Sequence, residues 1–171
     1  MSALATQVQD VPSGGQALYL TFMQGNEVFA IRILAIKEII EYEVPTSVPM
    51  MPDFIRGVIN LRGAAVPVVD LAIRCGQPAR PVTKRTCIVI VERQLEGKAE
   101  NVGVIVDAVN AVLDIPASDI EPPPAFGARI RSDFLLGLGK VDGKFVSLLA
   151  ADRVVAADVS SVPEVTAQGV Q

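Results

Sequence analysis

The chain has 171 residues, with 15 Lys and Arg against 19 Asp and Glu and a formal net charge of −4. That length fits one ordinary domain or two very small ones, and it hides roughly 70% of the unfolded surface, enough for a proper core. Half the residues are apolar, yet only 5% are aromatic and none is Trp, so the core must be mainly aliphatic. A nucleic-acid binder carries a cationic surplus to displace counterions from phosphates; the charge here has the opposite sign and argues against DNA or RNA as a partner. The absence of histidine excludes a Ser-His-Asp or Cys-His apparatus, an HExxH zinc site, a two-Cys two-His finger and phosphohistidine chemistry. Cys75 and Cys87 are too few and too far apart for a zinc cluster or a CxxC pair, and read as reduced thiols packed as small apolar groups. No run reaches the roughly 18 to 20 apolar residues of a membrane helix. Met1 to Gln16 lacks the basic and apolar parts of a signal peptide, so the expectation is a cytoplasmic protein.

In chain order, residues 1–16 and 157–171 read as loose tails rich in small and polar residues, and residues 17–156 as the folded body. Ala17 to Met23 and Val28 to Ile33 form a predicted hairpin around Gln24-Gly25-Asn26-Glu27. Leu34 to Ile40 fits one helical face and fits a single turn leading into a strand equally well. Pro45, Pro49 and Pro52 forbid a regular central element after it. Ile55 to Leu61 and Ala64 to Val69 pair across Arg62-Gly63, and Asp70 is placed to N-cap a short helix, Leu71 to Arg74. Gly76 to Lys84 reads as a Pro-containing linker. Thr86 to Val91 is a β-branched run suited to a strand buried on both sides. Glu92 to Glu100 reads as an exposed connection, followed by strands Val102 to Val109 and Val112 to Ile115. Pro122-Pro123-Pro124 interrupts regular structure. Phe134 to Val141 and Lys144 to Leu149 pair across Asp142-Gly143, a strong hairpin dipeptide, with a helical turn from Ala151.

Roughly ten short strands at close spacing predict an all-β protein of barrels or sandwiches. The linker divides it into one subdomain over about 20–80 and a second over about 85–150, with terminal segments crossing over. Each half ends on a glycine turn, an apolar strand, an Asp and a short helical stretch. This points to two related barrels packed on a common core, although no repeat is convincing residue by residue.

Catalytic motifs are missing: Gly97-Lys98, Gly139-Lys140 and Gly143-Lys144 lack the rest of a P-loop, and neither a GxGxxG, a GxSxG nor an EF-hand loop is present. What stands out is the segment from Phe54 to Leu71. With a two-residue period, Ile55, Gly57, Ile59 and Leu61 share an apolar face, while Arg56, Val58, Asn60 and Arg62 share the outer one. Arginine's planar fork suits an interface ion pair, and Gly57 and Gly63 leave room for another backbone. An ordinary solvated strand face also explains this pattern. Glu38 is the natural acidic counterpart of Arg62 if its segment packs alongside.

Gly57-Val58-Ile59-Asn60-Leu61-Arg62-Gly63 with Pro67-Val68-Val69-Asp70-Leu71 resembles the hallmark of the CheW family of chemotaxis coupling proteins. Tyr19 to Ile33, Ile36-Lys37-Glu38-Ile39, Val102 to Val109, Ile120 to Pro123 and Phe134 to Gly139 resemble further family segments in the same order, over about Ala17 to Val154. The resemblance implies two SH3-like β-barrels on a shared hydrophobic core, with short helical segments and without enzymatic activity, cofactor or metal. It implies an adaptor that bridges the cytoplasmic tips of methyl-accepting chemoreceptors to the regulatory domain of the histidine kinase CheA, in membrane-associated arrays where rings form. Receptor contact then falls on Ile36, Glu38, Gly57, Arg62, Val102, Gly103 and Ile105, with Arg56, Val58, Asn60 and Gly63 as possible support. Ala64-Ala65 is smaller than the branched residues common there, and Arg32 stands where an acidic residue is often seen. A coupler of a twitching or developmental pathway, a small-ligand-binding barrel and a cryptic hydrolase or transferase are the competing readings.

Overall fold

The structure, a computed structural model of the chain, describes residues 17–123 and 134–155. The two expected tails and Pro124 lie outside the described residues. Eleven strands in two sheets are present among those described: β1 Leu18–Gln24, β2 Glu27–Arg32, β3 Ile36–Glu41, β4 Ile55–Leu61, β5 Ala64–Asp70, β6 Cys87–Leu95, β7 Lys98–Val106, β8 Ala108–Asp114, β9 Ile120–Glu121, β10 Leu135–Val141 and β11 Lys144–Leu149. Two helical stretches accompany them, α1 Leu71–Arg74 and α2 over residues 151–155. The all-β expectation of two small barrels on a common core describes the molecule.

Short turns set the registers. Arg62 and Gly63 (φ 53° and 88°), Glu96 and Gly97 (53° and 79°), and Asp142 and Gly143 (51° and 78°) all have positive φ. They close the pairs Leu61–Ala64, Leu95–Lys98 and Val141–Lys144, which is the type I′ geometry whose twist matches paired strands. The Asp70 carboxylate accepts from the Ile73 N–H at 3.3 Å, so α1 has its predicted cap. The ambiguous Leu34 to Ile40 segment resolves into a 3-10 turn, Ile33–Ala35, followed by β3.

Two expectations are corrected. Glu92 to Glu100 is mostly exposed, as expected, but it is paired strand rather than an irregular connection, and it is not exposed throughout. It is the tip of the β6–β7 hairpin, and Arg93 within it is 3% exposed, with its Nη2 donating to Glu100 at 3.0 Å. Arg93 is buried while Gln94 and residues 96–100 are exposed, and the carboxylate of Glu100 reaching in from the surface makes a guanidinium tolerable there. The strand expected over Val102 to Val109 is also broken at Asp107, which turns the chain from β7 into β8. The Asp107 carboxylate accepts from the Gly25 N–H (2.8 Å) and from Arg80 Nε (3.0 Å).

The sheets do not follow the sequence halves. One has the order β3-β6-β7-β5-β4 and uses residues 36–106 without interruption; the other has the order β8-β1-β2-β11-β10-β9 and draws on both ends of the body. The linker Gly76 to Lys84 therefore joins two strands of one sheet, β5 and β6, that lie on either side of β7. The halves are nonetheless real as repeats. Shifting by 80 residues superposes Phe54, Gly57, Gly63 and Val66 on Phe134, Gly137, Gly143 and Val146. The same shift aligns β4 with β10, whose burial alternates identically. It also matches the hydrogen bond from Asp70 N–H to Phe54 O (2.7 Å) with that from Ala150 N–H to Phe134 O (2.8 Å). Parallel pairing of β5 with β7 corresponds to that of β11 with β2. Each repeat thus lends its opening hairpin to one barrel and its third strand to the other.

Period-two alternation explains the three cores. Ile88 and Ile90 join Ile59, Val66 and Val68 inside the first barrel, while Tyr19, Ala30, Ile115, Val146 and Leu148 fill the second. Val89 and Val91 point the other way, into a central core that takes Leu20, Phe22 and Phe29 from one sheet and Val69, Val102 and Val104 from the other. The run Thr86 to Val91 is buried on both sides, as its composition predicts: Ile88, Val89, Ile90 and Val91 are all 0% exposed. Burying such a side chain contributes about 1.5–3 kcal/mol, so the shared core holds the barrels together.

Candidate functional site

The strand face singled out in the sequence lies where the first barrel closes. β3 and β4 are the two edges of its sheet, and two links join them. Thr46 forms an isolated bridge with Val58, Thr46 N–H donating to Val58 O at 2.8 Å and Val58 N–H to Thr46 O at 2.9 Å. Arg62, at the hairpin tip, donates from Nη1 and Nη2 to the two Glu38 carboxylate oxygens at 2.6 and 2.8 Å. The pairing expected between Glu38 and Arg62 is therefore present, as a bidentate fork whose geometry suits guanidinium and carboxylate. Positive φ at Arg62 aims the side chain across the seam, and Asn60 fixes the turn by accepting from the Gly63 N–H at 2.8 Å.

The hydrogen bond from Arg62, reinforced by its charge, holds the Glu38 carboxyl below its ordinary value of 4.5, and the same bond raises the Arg62 guanidinium above its ordinary range. A depressed carboxyl pKa contributes stability that is present above the ordinary value and is lost as pH falls through the lower folded one. The Glu38 side-chain carboxyl resonance in an NMR titration is thus expected to shift with a midpoint below 4.5. Arg62→Gln is expected to return it toward 4.5; an unchanged midpoint would show that the fork does not persist in solution.

The other nominated residues divide by burial. Arg56 and Asn60 are exposed and Val58 is half-buried on the outer face, with Arg56 Nε 4.0 Å from the Asp70 carboxylate. Gly57 is buried, and a Cβ there would lie 2.1 Å from Thr46 O. The backbone that approaches it closely is this chain's own. Ile36 is half-buried against the central core, while Val102 is 0% exposed within it. A Cβ on buried Gly103 would meet Ile88 Cγ2 at 2.7 Å, and Ile105 is half-buried against the first barrel's core. Glu38, Arg62 and the outer face of β4 lie together at the barrel closure, whereas Val102 and Gly103 are buried.

A groove of about 290 Å³ opens at the seam between the barrels, lined by Ile31, Arg32, Ala35, Glu92, Leu136 and Asp152 among others. None of the seven residues nominated for receptor contact lines it. Leu136, 44% exposed, was not singled out in the sequence; its signal was the 80-residue shift, which makes it the counterpart of Arg56. Both barrel interiors are filled by apolar side chains, aliphatic but for Tyr19 among the buried ones, which leaves the small-ligand reading without the roomy interior it needs. Among the described residues no group of three or more His, Cys, Asp or Glu is placed to hold a metal ion, and no helix is long and apolar enough to cross a membrane.

Burial pushes the Cys75 thiol up to about 11, and burial with the Glu41 charge raises Cys87. Because the thiolate is the nucleophile, alkylation of the native protein at pH 8 is expected to mark half-buried Cys87 before buried Cys75, with Cys75 reacting only on unfolding. Mass spectrometry of timed digests checks this; equal rates would contradict the burial of Cys75.

A protein of two fused barrels, with filled interiors and an ion-paired hairpin tip at one closure, is of the class that works through its outer surfaces. The CheW-like domain model matches residues 18–159. The chain is 33% identical to the chemotaxis protein CheW of Klebsiella aerogenes over 140 residues, 82% of each chain. It is 32% identical to that of Rhizobium meliloti over 151 residues, 88% of this chain and 94% of the relative. Among solved structures, the scaffolding protein TtCheW from Thermoanaerobacter tengcongensis superposes with a TM-score of 0.76 at 32% identity, covering 87% of this chain and 92% of that one. This chain belongs to the CheW family of chemotaxis scaffolding proteins.

Proposed function

We propose that this protein couples the cytoplasmic tips of methyl-accepting chemoreceptors to the histidine kinase CheA, acting by docking and without turnover of its own. The observation that carries this reading is the family match running through residues 18–159. In it the NLRG hairpin stands at a barrel closure with Arg62 70% exposed at its tip. Receptor contact is assigned to Ile36, Glu38, Gly57, Arg62, Val102, Gly103 and Ile105. Of these, Glu38 and Arg62 reach the partner, and buried Gly57, Val102 and Gly103 set the shape it meets. Arg56, Val58, Asn60 and Gly63 support that surface. A receptor tip is a helical bundle, so its apolar ridge would lie in a groove between charged rims. The kinase's regulatory domain would dock on apolar barrel ends, and self-association into rings would extend the array at the membrane. Control then comes from geometry: the coupler holds the kinase where receptor state biases its equilibrium.

Pull-down of the purified protein with a receptor cytoplasmic fragment and with the CheA regulatory domain tests the reading. Retention of both partners is expected, together with increased kinase autophosphorylation in reconstituted arrays. Binding to neither would overturn it.

A further inference from the structure

We infer that Arg74 is the positioning residue that sets the register of the two barrels, a guanidinium clasped by two rings that the internal repeat makes equivalent. Arg74 ends α1 and is 8% exposed. Its Cζ lies 4.7 Å from the centroid of the Phe54 ring and 4.2 Å from that of Phe134. Those rings sit at the same place in the two repeats, 80 residues apart, one entering β4 and the other entering β10. The Arg74 Nε donates to Val154 O in α2 at 2.8 Å, and Val154 is the residue that the 80-residue shift places on Arg74 itself. One half of the duplicated junction therefore supplies a cation and the other half its acceptor.

Around this point the shared core is apolar, aliphatic apart from its phenylalanines, and apolar burial is largely non-directional; two similar units packed that way tolerate sliding and rotation. A planar cation is directional. Burying it is costly unless it is well paired, and the cost is offset here by two ring faces and by the Val154 carbonyl that accepts from its Nε. Arg93, from β6 of the first sheet, reaches the same turn, with Nη1 3.5 Å from Val155 O. Both guanidiniums come from the segment that builds the first sheet, and the helix they hold follows β11 of the second. A displaced register would strand these charges without partners, which selects one relative orientation.

The consequence for coupling rests on the proposed function: receptor and kinase contacts distributed over two barrels transmit a signal only if the angle between them is fixed. Residual dipolar couplings, measured separately for residues 36–106 and for residues 18–32 with 108–121 and 135–149, read that angle directly. In Arg74→Met and in Arg74→Lys, which keeps the charge and loses the flat fork, the two sets are expected to cease fitting one common alignment tensor while each barrel still fits its own. Phe54→Leu and Phe134→Leu are expected to reproduce that loss to similar extents, and neither adds to it in an Arg74→Met background. Kinase stimulation in arrays is expected to fall severalfold while binding of the isolated receptor fragment is unchanged. A single tensor fitting every variant, or a changed angle with undiminished stimulation, would overturn the inference. If the unmodified protein bound neither partner, the coupling reading would fall and the dipolar couplings would still decide the clamp.

Discussion

Gly57→Ala is expected to lower the melting temperature by about 10 °C, and Gly57→Asp to leave little folded protein at all. The position combines two demands that no other residue meets. Its φ of 142° lies in a region that side chains rarely adopt, worth about 1–3 kcal/mol of strain, and a Cβ would stand 2.1 Å from Thr46 O. Relieving that overlap means moving backbone and breaking the Thr46–Val58 bridge that closes the barrel, a further 1–3 kcal/mol or so by analogy with overpacked cores. Together these approach about 4 kcal/mol, which a domain of this size registers as about 2–4 °C per kcal/mol. Gly137, the counterpart in the other barrel, supplies the control: its Cβ would meet Glu121 O at 2.6 Å, but its φ is not positive. Gly137→Ala is therefore expected to cost less than Gly57→Ala in paired thermal melts. Equal and small effects would show that the Thr46 segment yields freely and that Gly57 is merely permissive.

Arg62→Glu is expected to abolish receptor-dependent kinase stimulation while leaving the melting temperature essentially unchanged. The fork to Glu38 is solvent-exposed, and exposed pairs contribute little to stability. Its weight falls on the surface presented to a partner: reversing one charge sets two carboxylates against each other at the hairpin tip and swings both away from the seam. Arg62→Lys keeps the charge and loses the bidentate geometry, so an intermediate loss is expected. Exchanging the partners, Glu38→Arg with Arg62→Glu, separates the two contributions. Recovery of stimulation would mean that the pair acts by holding the tip; persistent loss would mean that the guanidinium itself meets the partner. Full stimulation by Arg62→Glu in reconstituted arrays would remove this surface from the coupling mechanism, and a large fall in melting temperature would reassign Arg62 to structure.

The ion pair was legible before any coordinates because its parts are local. Alternation over Ile55 to Leu61 puts Arg62 on the outer face, and only one nearby strand offers a carboxylate in the right phase. The Asp142-Gly143 turn, the Asp70 cap and the doubly buried run from Ile88 to Val91 were legible for the same reason: turn dihedrals, capping and period-two burial depend on a few adjacent residues. The burial of Arg93 is not legible in the sequence, because charge content argues for exposure and only the fold brings the Glu100 carboxylate to its guanidinium. The sequence marks Gly57 as a place of close approach, but what approaches it is Thr46, separated by a loop whose path sequence does not give.

Composition and local pattern by themselves determined an aliphatic all-β molecule, its hairpins and the polar strand face. The tertiary structure alone decided that the repeats exchange strands between barrels, that Phe54 and Phe134 converge on Arg74, and that a 290 Å³ groove opens beside Leu136. The physical reason is the range of the forces that select them. Turns and alternation are fixed by neighbours in sequence, whereas choosing which strand edges meet is a choice among alternatives with similar apolar burial. The directional contacts of a buried cation separate those alternatives only once distant residues have been brought together.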